Sequence, residues 1–164
     1  MSVPKPRILF VDDEPHHLSA VRRALRKMRA RWEMVFVTSG EVALTACRET
    51  PFQVVVTDLK MPGMNGLEVV RALNKEMRQT RCIMLTGTAD LQTATELINT
   101  TSIYRFYTKP CHPETLIEGI EASLRTASQS EESEDCVESA VPRISKIVMD
   151  ENSGVDRGIR RAAL

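Results

Sequence analysis

Residues 53–66 read QVVVTDLKMPGMNG, an apolar run that ends at an acid and continues into a group of turn-forming residues. The run over 53–57 predicts a strand buried on both faces, because a strand with one wet face would alternate polar and apolar residues. Asp58 stands at its carboxyl end. Glycine, proline and asparagine are dense over 61–66, which predicts a loop. The stretch therefore indicates an inner strand of a parallel sheet that delivers a carboxylate to the sheet edge.

Outward from this strand, short apolar runs alternate with helical patterns on both sides. Besides 53–57, strands are predicted over residues 7–11, 34–37, 81–85 and 103–107. Helices are predicted from Pro15 through Met28, from Gly40, over 67–73, over about 89–99 and over 113–126. In the helix that opens at Ser39–Gly40, Val42, Ala43 and Ala46 are expected to face inward. The alternation of strand and helix is typical of an α/β fold with a parallel sheet.

The composition divides the 164 residues into one domain and a tail. The strand and helix patterns end by about residue 126, so the domain is predicted over 5–126. The following SQSEESEDCVES, residues 128–139, is acidic, rich in serine and almost free of apolar residues. Such a segment buries too little apolar area to offset the entropy of ordering it. Residues 127–164 are therefore predicted to be a linker and a disordered tail.

The charge balance, the apolar runs and the cysteines indicate which partners and which compartment to expect. Lys plus Arg equals Asp plus Glu at 22 each, so no global charge favours nucleic acid or a membrane surface. No apolar run reaches the length of a membrane span. The four cysteines lack metal-ligand spacing and are interpreted as reduced thiols. We expect a cytoplasmic protein that neither binds nucleic acid directly nor inserts into a membrane.

Polar side chains stand at the carboxyl ends of four predicted strands. They are Asp12 and Asp13 after the first strand, Asp58 after the third, Thr86 after the fourth and Lys109 after the fifth. Each alone has a simpler explanation, such as a helix-capping or surface residue. In a parallel sheet, however, these ends meet at one edge, where ligands bind. Three carboxylates there repel one another unless a cation such as Mg²⁺ neutralises them, and a lysine could bind a phosphoryl oxygen.

Four motifs, in this order, identify a family. ILFVDDEP, VVVTDLKMPGMNGLEVV, IMLTGTAD and FYTKP begin at residues 8, 54, 83 and 106. Over about 5–126 the chain resembles the CheY-like receiver domains of bacterial two-component systems. The resemblance implies a flavodoxin-like (βα)5 fold, a doubly wound parallel sheet with strand order 2-1-3-4-5. The segment IYRFYTKPCHPETL from residue 103 is similar to receivers fused to HD-type phosphodiesterases or sensor kinases.

The resemblance also implies the roles of individual residues. Asp58 would be the phospho-acceptor, and Mg²⁺ would be held by Asp12, Asp13, Asp58 and the backbone carbonyl of Lys60. Thr86 and Lys109 would bind the phosphoryl group. Phe106 would be the aromatic side chain that turns inward in the switch, and a cis peptide bond would precede Pro110.

The predicted function is a phosphorylation-dependent signalling switch rather than an enzyme with a substrate of its own. The phosphoryl donor would be a sensor histidine kinase or a histidine phosphotransfer protein. A downstream protein target would recognise the face formed by the 89–99 helix, the fifth strand and the last helix. The chain would be a stand-alone receiver or a regulator that lacks an output domain.

Two alternatives and two surface features stay open. The alternatives are a Mg²⁺-dependent phosphatase with an aspartate nucleophile and a receiver-like module that binds partners without phosphate. The basic residues of the first helix are either a kinase-docking face or a solvated face; they are Arg22, Arg23, Arg26, Lys27 and Arg29. His16 and His17, adjacent at the start of that helix, are expected to face water.

Overall fold

Five parallel strands form one sheet in the order β2-β1-β3-β4-β5 in the computed structural model, which describes residues 4–87 and 103–129. The strands are β1 (Arg7–Val11), β2 (Glu33–Val37), β3 (Val54–Asp58), β4 (Arg81–Gly87) and β5 (Arg105–Lys109). Every neighbouring pair is parallel. The predicted doubly wound, flavodoxin-like sheet with order 2-1-3-4-5 is therefore confirmed.

Four α-helices are described, namely α1 (Pro15–Ala24), α2 (Gly40–Glu49), α3 (Gly66–Glu76) and α4 (Pro113–Gln129). The helix predicted through Met28 ends four residues earlier, and a short 3-10 helix, Arg26–Ala30, follows it. Leu25 and Met28 both stay buried, because a three-residue step keeps side chains on one face of a 3-10 helix as well. The predicted helix over 89–99 lies outside the described residues.

The sheet separates two apolar cores. Leu9, Val11 and Val55 point to the side covered by α2 and α3. Ile8 and Phe10 point to the other side, where α1 and α4 supply Leu18 and Ile120 among others. Since successive side chains of a strand face opposite ways, inner strands must be apolar at every position. Val54, Val55 and Val56 of β3 are accordingly 0–2% exposed, as the uniform apolar run predicted.

The inward face of α2 differs from the one predicted. Ala43, Leu44 and Cys47 are buried, whereas Val42 is 51% exposed and Ala46 lies in between. The prediction for Val42 is wrong because the helix turns its larger residue, Leu44, into the core. Val42 instead occupies the first turn, where its backbone N–H donates to the N-cap hydroxyl of Ser39.

Several element boundaries also move relative to the prediction. β3 includes Asp58, β4 continues through Thr86 to Gly87, and β5 begins two residues later than expected and ends at Lys109. The last helix reaches Gln129, beyond the predicted domain end at 126. Residues 130–164 lie outside the described part, so the predicted disorder of the tail stays a prediction.

Among the helices of residues 4–87 and 103–129, none combines the length and the apolar character that a membrane span requires. Cys47, Cys82 and Cys111 are free thiols, while Cys136 is not described. Burial raises the pKa of Cys47 to about 11 and that of Cys82 to about 12.

Candidate functional site

Three strand ends converge on a cluster of charge at the carboxyl edge of the sheet. Asp12 directly follows β1, and its backbone N–H donates to the carbonyl of Val37 at the end of β2. Asp58 ends β3 and Lys109 ends β5. The lysine ammonium Nζ lies 2.7 Å from Asp12 Oδ2 and 3.2 Å from Asp58 Oδ2. The sheet thus brings together charges that are 46 to 97 residues apart in the chain.

Asp13 joins the two carboxylates of this cluster. One carboxylate oxygen from each of Asp12, Asp13 and Asp58 lies within 4.8 Å of the others. Carboxylate oxygens are the ligands that Mg²⁺ prefers, and Asp13 is partly exposed, so water could complete an octahedral shell. The donor set therefore fits Mg²⁺. The contribution predicted for the backbone carbonyl of Lys60 stays a prediction.

The pocket shifts the pKa of both partners of the Asp58–Lys109 pair upward. For Asp58, burial is the largest cause, and the negative charge of Asp12 adds to it against the opposing effect of Lys109. For Lys109, burial alone would lower the pKa. Its hydrogen bond to Asp12 and the charges of Asp58 and Asp12 outweigh that effect. The lysine therefore stays protonated and partly neutralises two carboxylates.

The residues after Asp58 hold its carboxylate in place. Asp58 Oδ1 accepts the backbone N–H of Leu59 at 2.8 Å, and the carbonyl of Leu59 in turn accepts the N–H of Gly66 at 3.0 Å. A Cβ at Gly66 would lie 2.0 Å from the backbone oxygen of Asp58. Only glycine therefore fits where α3 begins beside the end of β3. From its place in the sequence, Gly66 was predicted only as one of the turn-forming residues of the 61–66 loop.

Two acidic side chains without a predicted role, Glu41 and Glu68, organise the loop over 61–66. Glu41 Oε1, on α2, accepts the backbone N–H of Met64 at 3.0 Å. Asn65 caps α3, and the backbone N–H of Asn65 donates to Glu68 Oε2 at 2.9 Å, which completes a capping box. The spacing of Asn65 and Glu68 before an apolar helix could have revealed this cap. Glu41 lies 23 residues before Met64 in the chain, so no local sequence pattern predicts this contact.

The remaining predicted residues surround the cluster. Thr86 is fully buried within β4, and its hydroxyl donates to the carbonyl of Gly87 at 3.4 Å. Phe106 is half-buried against the core formed with α2 and α3. The peptide bond between Lys109 and Pro110 is cis. The switch roles of Thr86 and Phe106 stay predictions.

His17 approaches the cluster from the first turn of α1. Its Nδ1 lies 3.4 Å from Asp12 Oδ2, and its Nε2 lies 3.4 Å from Glu14 Oε2. The imidazole is 47% exposed, so it touches water as predicted but also two carboxylates. His16 is exposed, and no ion pair or hydrogen bond of His16 is found in the described ranges.

Comparisons with known proteins agree on the kind of domain. The family model described as "Response regulator receiver domain" matches residues 8–121. The regulatory protein VanRB of Enterococcus faecalis is 33% identical over 119 residues, which are 73% of this chain and 52% of that protein. The virulence sensor protein BvgS of Bordetella bronchiseptica is 38% identical over 91 residues, 52% of this chain but 7% of its own length. The chain thus spans about half of the first relative and a small part of the second.

Solved structures share the fold. A receiver domain from Clostridium thermocellum superposes with a TM-score of 0.70 at 25% identity, and the match covers 76% of this chain and 98% of that one. A structure described as an adenylate cyclase from Rhodopirellula baltica has a TM-score of 0.71 at 32% identity, with coverage of 78% and 93%.

Proposed function

Because the chain belongs to the response-regulator receiver family of two-component systems, we propose that its phosphorylation switch operates through a phosphoryl group carried on Asp58. The observation that carries this proposal is the convergence of three carboxylates and one ammonium in a single pocket. Phosphoryl transfer needs little covalent chemistry from a protein and depends on positioning and charge neutralisation. This pocket supplies both.

In the proposed step, an oxygen of the Asp58 carboxylate attacks the phosphorus of a phosphohistidine. The new bond is an acyl phosphate, and the bond to the imidazole nitrogen breaks, so that the donor histidine leaves with the electron pair and takes a proton from water. Mg²⁺, held by Asp12, Asp13, Asp58 and the carbonyl of Lys60, would neutralise negative charge on the transferred group. Water then takes the phosphoryl group from the acyl phosphate, which releases inorganic phosphate and returns Asp58 to its carboxylate.

During this step, the ammonium of Lys109 would move its contact from the Asp58 carboxylate to the phosphoryl oxygens. Its ammonium already contacts Asp58 at 3.2 Å, so the phosphoryl oxygens would arrive within its reach. The hydroxyl of Thr86 would turn from the carbonyl of Gly87 toward the phosphoryl group, and its weak 3.4 Å bond makes that loss small. Phe106 would then turn inward and change the surface that a downstream protein target recognises.

The proposed donor is a sensor histidine kinase or a histidine phosphotransfer protein, and the proposed compartment is the cytoplasm. We propose that the chain acts as a signalling domain and not as an enzyme with a substrate of its own, since the receiver fold is that of a signalling domain.

The proposal is tested by incubating the full chain with acetyl phosphate and Mg²⁺ and measuring its intact mass. The wild-type chain should gain the mass of one phosphoryl group, and both Asp58→Asn and removal of Mg²⁺ by EDTA should prevent the gain. Glu49→Gln is the matched control, because this exposed carboxylate ends α2 at the opposite edge of the sheet. A wild-type chain that gains no phosphoryl group, or an Asp58→Asn chain that gains one, would contradict the assignment.

A further inference from the structure

Glu41 connects the start of α2 to the loop that follows Asp58, and it lies outside the three-carboxylate group of the pocket. Its Oε1 accepts the backbone N–H of Met64 at 3.0 Å. The backbones of the two elements also approach closely, since a Cβ at Gly40 would lie 2.8 Å from the backbone oxygen of Met64. The 61–66 loop therefore rests against the first turn of α2.

The carboxylate of Glu41 extends from a fixed helix end. Ser39 caps α2 by accepting the backbone N–H of Val42 at 3.2 Å, which stabilises the turn that carries Glu41. Hydrogen bonds from its own backbone N–H and from that of Met64 hold the pKa of the Glu41 carboxyl below its ordinary value. The group is therefore ionised at neutral pH, and its bond to Met64 is of the stronger, charge-assisted kind.

The same loop is joined to the acceptor at both ends. At its entry the N–H of Leu59 donates to Asp58 Oδ1, and at its exit the N–H of Gly66 donates to the carbonyl of Leu59. Lys60, whose carbonyl is a predicted ligand of Mg²⁺, lies between these two points. A shift of the loop would therefore move a metal ligand, and a displacement of about 1 Å can slow a reaction by about a hundredfold.

We propose that Glu41 is a positioning residue that sets the Mg²⁺ affinity of the pocket by holding the backbone of Met64. The held loop would keep the carbonyl of Lys60 within reach of the ion. This inference rests on the proposed function, since it takes the three-carboxylate group as the cation site. Glu41 is not itself a ligand and acts through the backbone of the loop.

The test measures the Mg²⁺ affinity of the untagged full chain by calorimetry, without a phosphoryl donor. Glu41→Ala removes the acceptor of the Met64 N–H and leaves α2 intact, because alanine is the strongest helix former. The Mg²⁺ affinity should fall by about tenfold, a loss usual for a group that orients a metal ligand. At a Mg²⁺ concentration below saturation, phosphorylation by acetyl phosphate should slow by the same factor, and saturating Mg²⁺ should restore the rate.

Glu41→Gln separates the effect of the hydrogen bond from that of the charge. Glutamine lacks the negative charge, as alanine does, but its side-chain carbonyl can still accept the N–H of Met64. The Mg²⁺ affinity of this variant should stay within about threefold of wild type, since a neutral acceptor makes a weaker bond than a charged one. Amide exchange checks the cause: the Met64 N–H should exchange faster in Glu41→Ala than in wild type or Glu41→Gln.

Arg48→Ala is the matched control for a general loosening of α2. Arg48 lies in the last turn of the same helix and pairs with Glu76 of α3 at 2.8 and 2.9 Å, at the end of α2 opposite to the loop. Its loss should leave the Mg²⁺ affinity within about twofold of wild type. An unchanged affinity in Glu41→Ala, an equal loss in Glu41→Gln, or an equal loss in Arg48→Ala would each overturn the proposal.

The outcome is separable from that of the proposed function. If acetyl phosphate phosphorylates Asp58 in the wild-type chain but the Mg²⁺ affinity does not depend on Glu41, only the inference about Glu41 fails. If Glu41→Ala weakens Mg²⁺ binding but Asp58→Asn still gains a phosphoryl group, the acceptor assignment fails and the role of Glu41 stands.

Discussion

At the scale of the residue, the folded chain disfavours the ionised form of the Asp58 carboxyl group. Burial and the nearby carboxylate of Asp12 raise its pKa, and Lys109 offsets part of that effect. A group whose pKa is higher in the folded than in the unfolded chain adds stability at acidic pH. That stability is lost as the pH rises from the ordinary carboxyl value through the folded one. Folding therefore disfavours the ionised form of Asp58 relative to the unfolded chain.

Asp58→Asn should accordingly raise the free energy of unfolding at pH 7 in the absence of divalent cations. Lys109 keeps its closer partner, Asp12, in this variant. The gain should shrink as the pH falls and vanish below about pH 3, where the wild-type carboxyl is protonated in both states. Urea unfolding of both chains across this range measures the difference. A variant less stable than wild type at pH 7 would show that the Lys109 pairing outweighs burial.

At the scale of the element, the junction of β3, the 61–66 loop and α3 depends on close backbone contact. Gly66 lies so close to the backbone oxygen of Asp58 that a Cβ there would be 2.0 Å from it, so the start of α3 packs directly against the end of β3. Gly63, in contrast, has a φ of 73°, and the three atoms nearest to where its Cβ would lie belong to the side chain of Glu41 and not to the backbone. The two glycines of one loop therefore serve different needs, close packing at Gly66 and a left-handed turn at Gly63.

Gly66→Ala should lower the free energy of unfolding by more than about 3 kcal/mol, because a rigid backbone atom blocks the new Cβ. It should also slow phosphorylation from acetyl phosphate. Gly63→Ala should cost only about 1 to 2 kcal/mol, the usual penalty for a left-handed residue with a Cβ. Denaturant titration of the two variants compares them directly. Equal losses would mean that backbone strain, and not the contact with Asp58, governs the junction.

At the scale of the whole molecule, α4 closes one of the two cores. Leu116 and Ile120 are buried in the core on the α1 side, and Leu124 packs against it. Arg31, after the 3-10 helix, pairs with Glu121 at 2.6 Å. The hydroxyl of Tyr104 donates to the carbonyl of Ala122 at 3.2 Å. The last turns of α4 are thus part of the domain.

A chain that ends at Gln129 should therefore unfold cooperatively and accept phosphate on Asp58. A chain that ends at Glu121 should lose more than about 3 kcal/mol of unfolding free energy, since it lacks Leu124 and the carbonyl that accepts from Tyr104. Thermal melts followed by circular dichroism compare both chains with the full one. Failure of the longer chain to fold would show that residues 130–164 belong to the domain.

Local patterns sufficed for much of the fold. The apolar runs predicted all five strands within two residues at their starts, and the motif order implied the sheet order that the structure has. They failed at Val42, where periodicity alone could not decide which side of α2 carries the larger buried residue. The boundary of α1 also moved, because α and 3-10 turns share a three-residue step.

The sequence by itself determined which residues stand at the strand ends, since that depends only on where apolar runs stop. Asp12, Asp13, Asp58 and Lys109 are all placed in this way. Only the tertiary structure decided which atoms meet: Lys109 with Asp12, His17 with Asp12, Glu41 with the backbone of Met64, and Gly66 with Asp58. The reason is physical. Chain order sets the neighbours along a strand or helix, but contacts between elements depend on side-chain direction and on how tightly the layers pack.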